Sequence, residues 1–215
     1  MITIENLKII YNKKAISYPN IHIKRNEFVG LFGKSGCGKT SLLEALFGLD
    51  FQGELVYDKC TINDVDIKEL DSSKYDYISY CPQFSQNAFN PKLSVMEHIH
   101  LTLKGNGLQY NTEEIGVLME RLALEPILLN YYPYMLSGGQ KQRLILLISI
   151  LKRPKLLILD EPSSAIDLIT LRKIVEFLTS YKGKLTIIMV AHQKVLLEKV
   201  TDRIIVLEEY DNAKG

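Results

Sequence analysis

The sequence contains no tryptophan and few cysteines, and its charges nearly balance. The three cysteines, Cys37, Cys60 and Cys81, are far apart and odd in number. Such a set argues against a disulfide framework or a zinc site and indicates a reducing compartment. The formal net charge is +1, so overall charge gives no reason to expect a nucleic-acid partner.

The chain also lacks a hydrophobic run long enough to cross a bilayer. Its longest apolar run, residues 144–151, is too short and too interrupted. Residues 1–6 do not have the pattern of a secretory signal peptide. If the protein acts at a membrane, we expect another chain to provide the spanning segments. The length of 215 residues predicts one domain, with room for a subdomain.

The most informative stretch is a complete phosphate-loop pattern, G-x-x-x-x-G-K-[ST], at residues 33–40. A predicted buried strand at 28–32 precedes it and a predicted helix at 41–47 follows it, which is the context that the motif requires. Glycines let successive backbone N–H groups point at a phosphate, and the helix N-terminus adds its positive end. The predicted nucleotide site consists of Gly33, Lys34, Ser35, Gly36, Cys37, Gly38, Lys39, Thr40 and Ser41.

Two side chains carry most of the chemistry predicted for this loop. Lys39 is placed to reach the β- and γ-phosphates of a nucleotide, and the Thr40 hydroxyl is placed to bind Mg²⁺. The alternative is a chance glycine-rich turn ahead of a helix, which the flanking strand and helix argue against.

Apolar strands alternate with helices along the chain, which predicts an α/β fold with a mainly parallel sheet. Alternation of apolar and polar residues at 1–10 and 53–58 predicts a small antiparallel β region beside it. The core strands are predicted at 28–32, 77–82, 155–161, 185–191 and 203–207.

A helical subdomain is predicted from about residue 83 to about residue 150. Two of its helices are expected at 94–103 and 112–124, the second with Thr112 as its N-cap. The whole chain, 1–215, is then one domain, whose nucleotide-binding core is formed by residues 1–82 and 151–215.

Several polar residues fall at the carboxyl ends of predicted strands, where ligands of parallel sheets bind. They are Gln83, the pair Asp160-Glu161, and His192, and we expect them to converge beside the phosphate loop. The acidic pair and His192 also have ordinary alternatives. The acidic pair could be a capping or solvated pair, and His192 could be a loop histidine.

The sequence LSGGQ occupies residues 136–140, after the phosphate loop and Gln83, and LLILDE occupies 156–161. With Asp167 and His192 behind them, these motifs resemble the ATP-binding-cassette (ABC) ATPases over about residues 1–207. LSGGQ together with a phosphate loop is close to diagnostic of that family, whereas the phosphate loop alone is not.

The resemblance implies a head-to-tail dimer with two ATP molecules between the subunits. Each ATP would contact the phosphate loop of one subunit and Ser137, Gly138, Gly139 and Gln140 of the other. A helix N-terminus with two glycines and a hydroxyl cap suits an anion, although the same spacing also describes a plain capping box. Tyr11 matches the base-stacking aromatic of the family, while its own pattern is that of a strand-end aromatic.

The resemblance also implies roles for the polar residues at the strand ends. Asp160 would hold Mg²⁺ through water, Glu161 would be the general base, and His192 would contact the γ-phosphate. Gln83 would sense the γ-phosphate and Mg²⁺, and Asp167 would lie at the dimer interface.

The stretch 83–91 resembles that of oligopeptide, dipeptide and nickel importer ATPases because it keeps Asn90-Pro91. The chain departs from those ATPases at Phe84-Ser85 and at Ala191-His192-Gln193, and we expect it to be without their C-terminal extension. We interpret the chain as the ATP-hydrolysing subunit of an ABC importer, peripheral on the cytoplasmic face of the membrane, for peptides or nickel and metal chelates. The expected partners are a transmembrane permease, a second ABC ATPase subunit (identical or different) and an extracytoplasmic substrate-binding protein.

Three alternatives to an importer remain open at this point. The same ATPase could serve an exporter, or the chain could be a soluble ABC protein acting on DNA or ribosomes, which the single cassette and the small net charge disfavour. A small-molecule kinase would leave LSGGQ unexplained. Phe84 and Phe89 border a polar loop, so we expect them to be exposed and to contact the permease; the alternative is packing inside the helical subdomain.

Overall fold

The computed structural model describes residues 1–11, 14–48, 51–82, 88–162 and 167–207. Within these residues the chain forms twelve strands and six α-helices. The strands are β1 (Ile2–Glu5), β2 (Lys8–Tyr11), β3 (Lys14–Ser17), β4 (Ile21–Ile23), β5 (Phe28–Phe32), β6 (Glu54–Val56), β7 (Lys59–Ile62), β8 (Val65–Asp66), β9 (Ile78–Cys81), β10 (Leu156–Asp160), β11 (Thr186–Val190) and β12 (Arg203–Val206). The helices are α1 (Lys39–Phe47), α2 (Val95–Gly105), α3 (Thr112–Arg121), α4 (Gly138–Leu151), α5 (Leu168–Thr179) and α6 (Lys194–Val200).

A five-stranded parallel sheet in the order β12-β5-β11-β10-β9 forms the centre of the molecule. Every residue of β10 and β11 is buried, because apolar layers cover both faces of the sheet. Asp160 is in register with Val190, and Val190 with Leu31, so the carboxyl ends of β10, β11 and β5 lie at one edge. The predicted α/β fold is therefore confirmed.

Two smaller antiparallel sheets, β4-β1-β7-β8 and β3-β2-β6, complete the β structure. The prediction of one strand over residues 1–10 was wrong, because β1 and β2 belong to different sheets. The chain turns between them at Asn6, which has φ 53 and whose N–H donates to Asn20 Oδ1 at 2.9 Å. Asparagine tolerates this left-handed conformation better than most residues do.

The helices between β9 and β10 begin at caps that the sequence encodes. Ser94 and Glu97 form a capping box at the start of α2, as Ser137 and Gln140 do at α4. The expectation that Thr112 caps α3 was wrong, since the Asn111 side chain accepts from the Glu114 N–H at 3.0 Å and Thr112 is the first helical residue. A preceding asparagine is an equally good cap, and it satisfies the N–H one turn further in.

The expectation that Phe89 is exposed was also wrong. Phe89 is only 7% exposed, and its ring lies edge-on to His98 with centroids 5.1 Å apart. Phe89 therefore belongs to the apolar core under α2 rather than to a docking surface, and Phe84 lies outside the described residues. No helix in the described part of the chain is long and apolar enough to cross a bilayer.

Candidate functional site

The phosphate loop joins the end of β5 to the start of α1, as its strand and helix patterns predicted. Gly36 and Gly38 have φ 85 and 91, a left-handed conformation that favours glycine. Gly38 is also the N-cap of α1, and no side chain caps the helix there. The first N–H groups of α1 thus remain available to an anion, as a phosphate cradle requires.

Lys39 is a buried cation without an ion-pair partner in the part of the chain that the structure describes. Its side chain is 6% exposed, and Nζ donates to the carbonyls of Gly33 at 2.7 Å and Lys34 at 2.9 Å. Neutral carbonyls satisfy its hydrogen bonds but not its charge. This arrangement fits a phosphate group better than it fits a structural lysine.

A pocket of about 290 Å³ opens at this loop and extends to the ends of β10 and β11. It brings Glu161 and His192 together with the phosphate loop, as the positions at strand ends predicted. Three loop residues, Gly33, Lys34 and Cys37, do not line it. Those that do are Ile16, Ser35, Gly36, Gly38, Lys39, Thr40, Ser41, Glu161 and His192.

Asp160 is the last residue of β10 and is only 4% exposed. Its Oδ2 accepts a hydrogen bond of 3.0 Å from the Tyr80 hydroxyl on the neighbouring strand β9. Burial raises the pKa of Asp160 above its ordinary value, the Tyr80 hydrogen bond opposes that rise, and the negative charge of Glu161 adds to it. Asp160 does not itself line the pocket, but it lies next to Glu161, which does, and its charge is poorly solvated, as that of a cation ligand is before it binds its ion.

Glu161 and His192 form the closest polar contact in the pocket. Glu161 Oε1 lies 2.5 Å from His192 Nε2, and the Glu161 side chain is largely buried while that of His192 is half exposed. The backbone of Glu161 has φ 50, and its N–H donates to the Val190 carbonyl at 3.0 Å. The chain therefore turns sharply after β10 and directs this carboxylate toward the pocket that the phosphate loop lines.

Two residues that the sequence did not single out support the loop. The Tyr18 hydroxyl donates to the Gly38 carbonyl at 2.9 Å, and Ile16 lines the pocket. A Cβ at Gly38 would lie 2.6 Å from the Tyr18 oxygen, so the close approach also requires glycine. Neither residue belongs to a motif, because their positions depend on how the antiparallel strand β3 packs against the loop.

Tyr11, the predicted base-stacking residue, lies at the edge of the same region. Its ring is edge-on to Phe51 with centroids 5.4 Å apart, and it is hydrogen-bonded with the Ser41 side chain. The pKa of Tyr11 is raised, chiefly by burial. Part of the Tyr11 ring is thus packed within the protein, next to Ser41, which lines the pocket.

The LSGGQ stretch does not line the phosphate-loop pocket of its own chain. Ser137 caps α4, where Oγ accepts from the Gln140 N–H at 3.2 Å and Gln140 Oε1 accepts from the Ser137 N–H at 2.8 Å. Ser137 and Gly138 are exposed, Gly139 is partly exposed, and Arg143 ties α4 to the end of α3 by donating to the Ala123 carbonyl at 2.7 Å. The start of α4 is therefore a surface that another molecule can reach.

Two further predicted site residues are Asp167 and Gln83. Asp167 is exposed, and its Oδ1 accepts from the Thr170 N–H at 2.9 Å, which caps the start of α5. Gln83 lies outside the described residues, so its predicted role stays a prediction. The described residues contain no group of three or more His, Cys, Asp and Glu side chains suited to a metal ion.

Comparisons with known proteins agree with the motifs and the fold. A family model described as ABC transporter matches residues 17–164. The dipeptide transport ATP-binding protein DppD of Caldanaerobacter subterraneus is 30% identical over 226 residues, which span 96% of this chain and 69% of that protein. The metal-staphylopine import system ATP-binding protein CntD of Staphylococcus aureus is 28% identical, over 97% of this chain and 82% of that protein.

A solved structure with a similar fold is the dimeric post-hydrolysis state of the ATP-binding cassette MJ0796 bound to ADP and Pi. A protein of the name MJ0796 comes from Methanocaldococcus jannaschii. The two chains superpose with a TM-score of 0.79 at 27% identity, and the match covers 100% of each.

Proposed function

This chain belongs to the ABC transporter family of ATP-binding proteins, and from that premise we propose that it is the energy-coupling subunit of an ABC importer. It is an ATP-binding cassette and an ATPase, which converts ATP and water to ADP and phosphate. The observation that carries the proposal is the pocket in which Lys39, Glu161 and His192 meet. A phosphate cradle and a carboxylate at one site are what phosphoryl transfer to water requires.

In the proposed mechanism the phosphate loop binds the β- and γ-phosphates of ATP. Lys39 would exchange its carbonyl acceptors, Gly33 and Lys34, for phosphate oxygens, and the uncapped start of α1 would donate N–H groups. Backbone N–H groups held at fixed positions need no reorganisation when charge develops on the phosphate oxygens. Tyr11 would stack on the base of the nucleotide with the part of its ring that does not pack on Phe51.

The residues at the loop also fit Mg²⁺, which supplies charge neutralisation on the phosphates when it is bound. Mg²⁺ prefers oxygen ligands and is usually held by one or two carboxylates together with waters and substrate phosphates. Thr40 and the buried carboxylate of Asp160 are such ligands, and Asp160 would act through a water. The predicted contribution of Gln83 belongs to the same proposal.

Glu161 is proposed as the general base that accepts a proton from the attacking water. Its buried carboxylate faces the pocket, and His192 Nε2 fixes one of its oxygens at 2.5 Å. The second oxygen is then oriented toward the water, while His192 is half exposed and can also contact the γ-phosphate.

We also propose the head-to-tail dimer. Ser137, Gly138, Gly139 and Gln140 are solvent-accessible and do not line the pocket of their own chain, so a partner's γ-phosphate can reach them. Asp167 would lie beside the same interface. The MJ0796 structure, which is dimeric and holds ADP and Pi, supports the dimeric part of this proposal.

The importer assignment draws on the relatives. DppD is named for dipeptide transport and CntD for metal-staphylopine import. Together with Asn90-Pro91, these names support peptides or metal chelates as the cargo class. The proposed partners are a transmembrane permease, a second ABC ATPase subunit and an extracytoplasmic substrate-binding protein, with this chain on the cytoplasmic side of the membrane.

Replacement of Glu161 by Gln tests the mechanism. The variant should lose ATP hydrolysis by about 10²-fold or more while it still binds ATP, because the change removes the base but not the phosphate contacts. It should also accumulate as an ATP-bound dimer in light scattering. Glu198→Gln, an exposed carboxylate that pairs with Lys194 on α6, is the matched control and should hydrolyse ATP normally.

Transport is tested separately. The chain is purified with its membrane partner and reconstituted in vesicles that hold ATP inside. Complexes whose ATPase faces the interior should then drive uptake of a dipeptide or a metal chelate from the outside. Near wild-type hydrolysis by Glu161→Gln would refute the base assignment, and ATP-driven efflux would refute the importer.

A further inference from the structure

A second pocket lies at the opposite edge of the central sheet, where the parallel strands begin. Its volume is about 310 Å³, and it is lined by Arg25, Lys155 and Lys184 together with polar residues such as Asn26 and Asn63. We refer to it as the basic pocket. The nucleotide site lies at the carboxyl ends of the same strands, so the two pockets are on opposite edges.

The basic pocket carries three positive side chains and no carboxylate among its described lining residues. None of Arg25, Lys155 and Lys184 forms an ion pair with another described residue. The acid nearest in sequence to Arg25 is Glu27, whose Oε1 accepts from Arg203 Nε at 2.6 Å and whose Oε2 accepts from the Lys24 N–H at 2.7 Å. Within the described residues, no carboxylate therefore forms an ion pair with these three cations.

Fixed backbone positions hold the three cations around one cavity. Arg25 precedes Asn26, which has φ 60 and whose N–H donates to Thr186 Oγ1 at 2.9 Å, so the turn is tied to the start of β11. Lys155 donates its N–H to the Tyr77 carbonyl at 2.8 Å directly before β10. Because β5, β11 and β10 are neighbours in the sheet, their starts form one row.

The whole chain has a net charge of only +1, so a general excess of basic residues does not explain why Arg25, Lys155 and Lys184 lie together. Three like charges around one concavity repel each other, and a concave site with walls of low dielectric focuses their potential. A bound anion would offset the repulsion among the three cations and would be attracted by their positive potential.

We propose that the basic pocket binds a small phosphate-bearing anion. Lysine is a common phosphate ligand, arginine can bind two phosphate oxygens at once, and the amides of Asn26 and Asn63 add neutral donors. At roughly 30 Å³ per water molecule, the cavity has room for an anion of the size of a diphosphate. The ligand occupies a site separate from the ATP pocket, so ATP and the anion bind without excluding each other.

The test is a titration of the ¹⁵N-labelled chain with inorganic pyrophosphate at constant ionic strength, followed by amide chemical shifts. Amides around Arg25, Lys155 and Lys184 should shift along a saturable curve. In the variant Arg25→Ala/Lys155→Ala/Lys184→Ala the same curve should weaken by about tenfold or more, since two or three charge-assisted contacts are lost.

A matched variant, Lys8→Ala/Lys92→Ala/Lys104→Ala, removes the same charge from exposed positions elsewhere and should bind as wild type does. Shifts at the phosphate loop, residues 33–40, report a separate event and should be equal in all three proteins. The proposal is overturned if the shifts near the basic pocket rise linearly without saturation, if they are confined to the phosphate loop, or if both triple variants weaken binding equally. If the triple variant fails to fold, the single variants Lys155→Gln and Lys184→Gln replace it, and each should weaken pyrophosphate binding at the basic pocket. Wild-type binding by both single variants would overturn the proposal.

Discussion

The Tyr80 hydroxyl donates a 3.0 Å hydrogen bond to Asp160 Oδ2, from β9 to the adjacent strand β10. This bond stabilises the charged carboxylate and so lowers the pKa of Asp160, against the larger effect of burial. Tyr80→Phe should therefore raise that pKa further. We expect the acidic limb of the ATPase pH profile to move to higher pH, with a loss of about tenfold in rate on that limb, since a hydrogen bond to a charged group contributes about 1.5–3 kcal/mol.

The pH dependence of kcat/KM at several Mg²⁺ concentrations measures this effect. Tyr134→Phe, at a tyrosine that is 75% exposed, is the control and should leave the profile in place. An unchanged acidic limb in Tyr80→Phe would show that the Asp160 charge does not limit the reaction.

Asp160→Asn should raise the melting temperature of the free protein at neutral pH. The folded-state pKa of Asp160 is raised by burial, so the folded state binds this proton more tightly than the unfolded state does. Folding stability therefore falls as the pH rises through that pKa, and the cost is fully present above it. Asparagine removes the charge and can still accept from Tyr80.

The gain of Asp160→Asn should vanish at pH values below the ordinary aspartate range, where both states are protonated. Thermal unfolding of wild type and variant at several pH values checks the sign. Glu54→Gln, at an exposed position of β6, controls for the loss of one negative charge. A variant that melts below wild type at pH 7 would contradict the prediction.

Ser137→Arg should leave ATP binding to the monomer intact and prevent dimer formation. The bulky cation would occupy the position that a partner's γ-phosphate needs, whereas the phosphate loop of the same chain lies in a different pocket. Nucleotide titration and light scattering in a Glu161→Gln background measure the two properties. Normal dimerisation of this double variant would count against the head-to-tail arrangement.

The same substitution also breaks the capping box of α4, and that loss alone costs about 1 kcal/mol. Ser137→Ala separates the two effects, because it removes the cap without adding bulk or charge. It should melt slightly lower than wild type and still form the dimer.

Phe89→Ala should destabilise the fold by about 3–5 kcal/mol, as expected for truncation of a buried phenylalanine. Phe89 is 7% exposed and contacts the His98 ring, so its removal leaves a cavity under α2. Chemical denaturation measures the change. Leu101→Ala, on α2 itself and 55% exposed, should change stability by less than about 1 kcal/mol. Equal stability of the two variants would mean that Phe89 does not hold the core.

Much of the site could be predicted from sequence because its residues lie at the ends of strands or the starts of helices. Asp160 ends a buried strand, Gly33 and His192 come just after two others, and parallel strands bring such positions to one edge. Capping-box spacing similarly marked the start of α4 from Ser137 and Gln140 alone. Local pattern was sufficient wherever one element ended and another began.

Contacts across elements were not predictable in this way. Tyr18 reaches Gly38, and Tyr80 reaches Asp160, only because separate strands pack side by side. Phe89 looked exposed since its neighbours in sequence are polar, but burial depends on α2, which follows it. These hydrogen bonds and the burial of Phe89 depend on tertiary packing, which a pattern of residue types along the chain does not predict.

The left-handed backbone at Glu161 has a consequence for how the thermal stability of this protein can be increased. A residue other than glycine with φ 50 costs on the order of 1 kcal/mol, and glycine at this position would relieve that cost. Its neighbour Asp160 opposes folding as well, through its buried charge. Selection of randomised libraries for heat resistance alone should therefore enrich replacements at these two adjacent positions, and the survivors should be robust proteins that no longer turn over ATP.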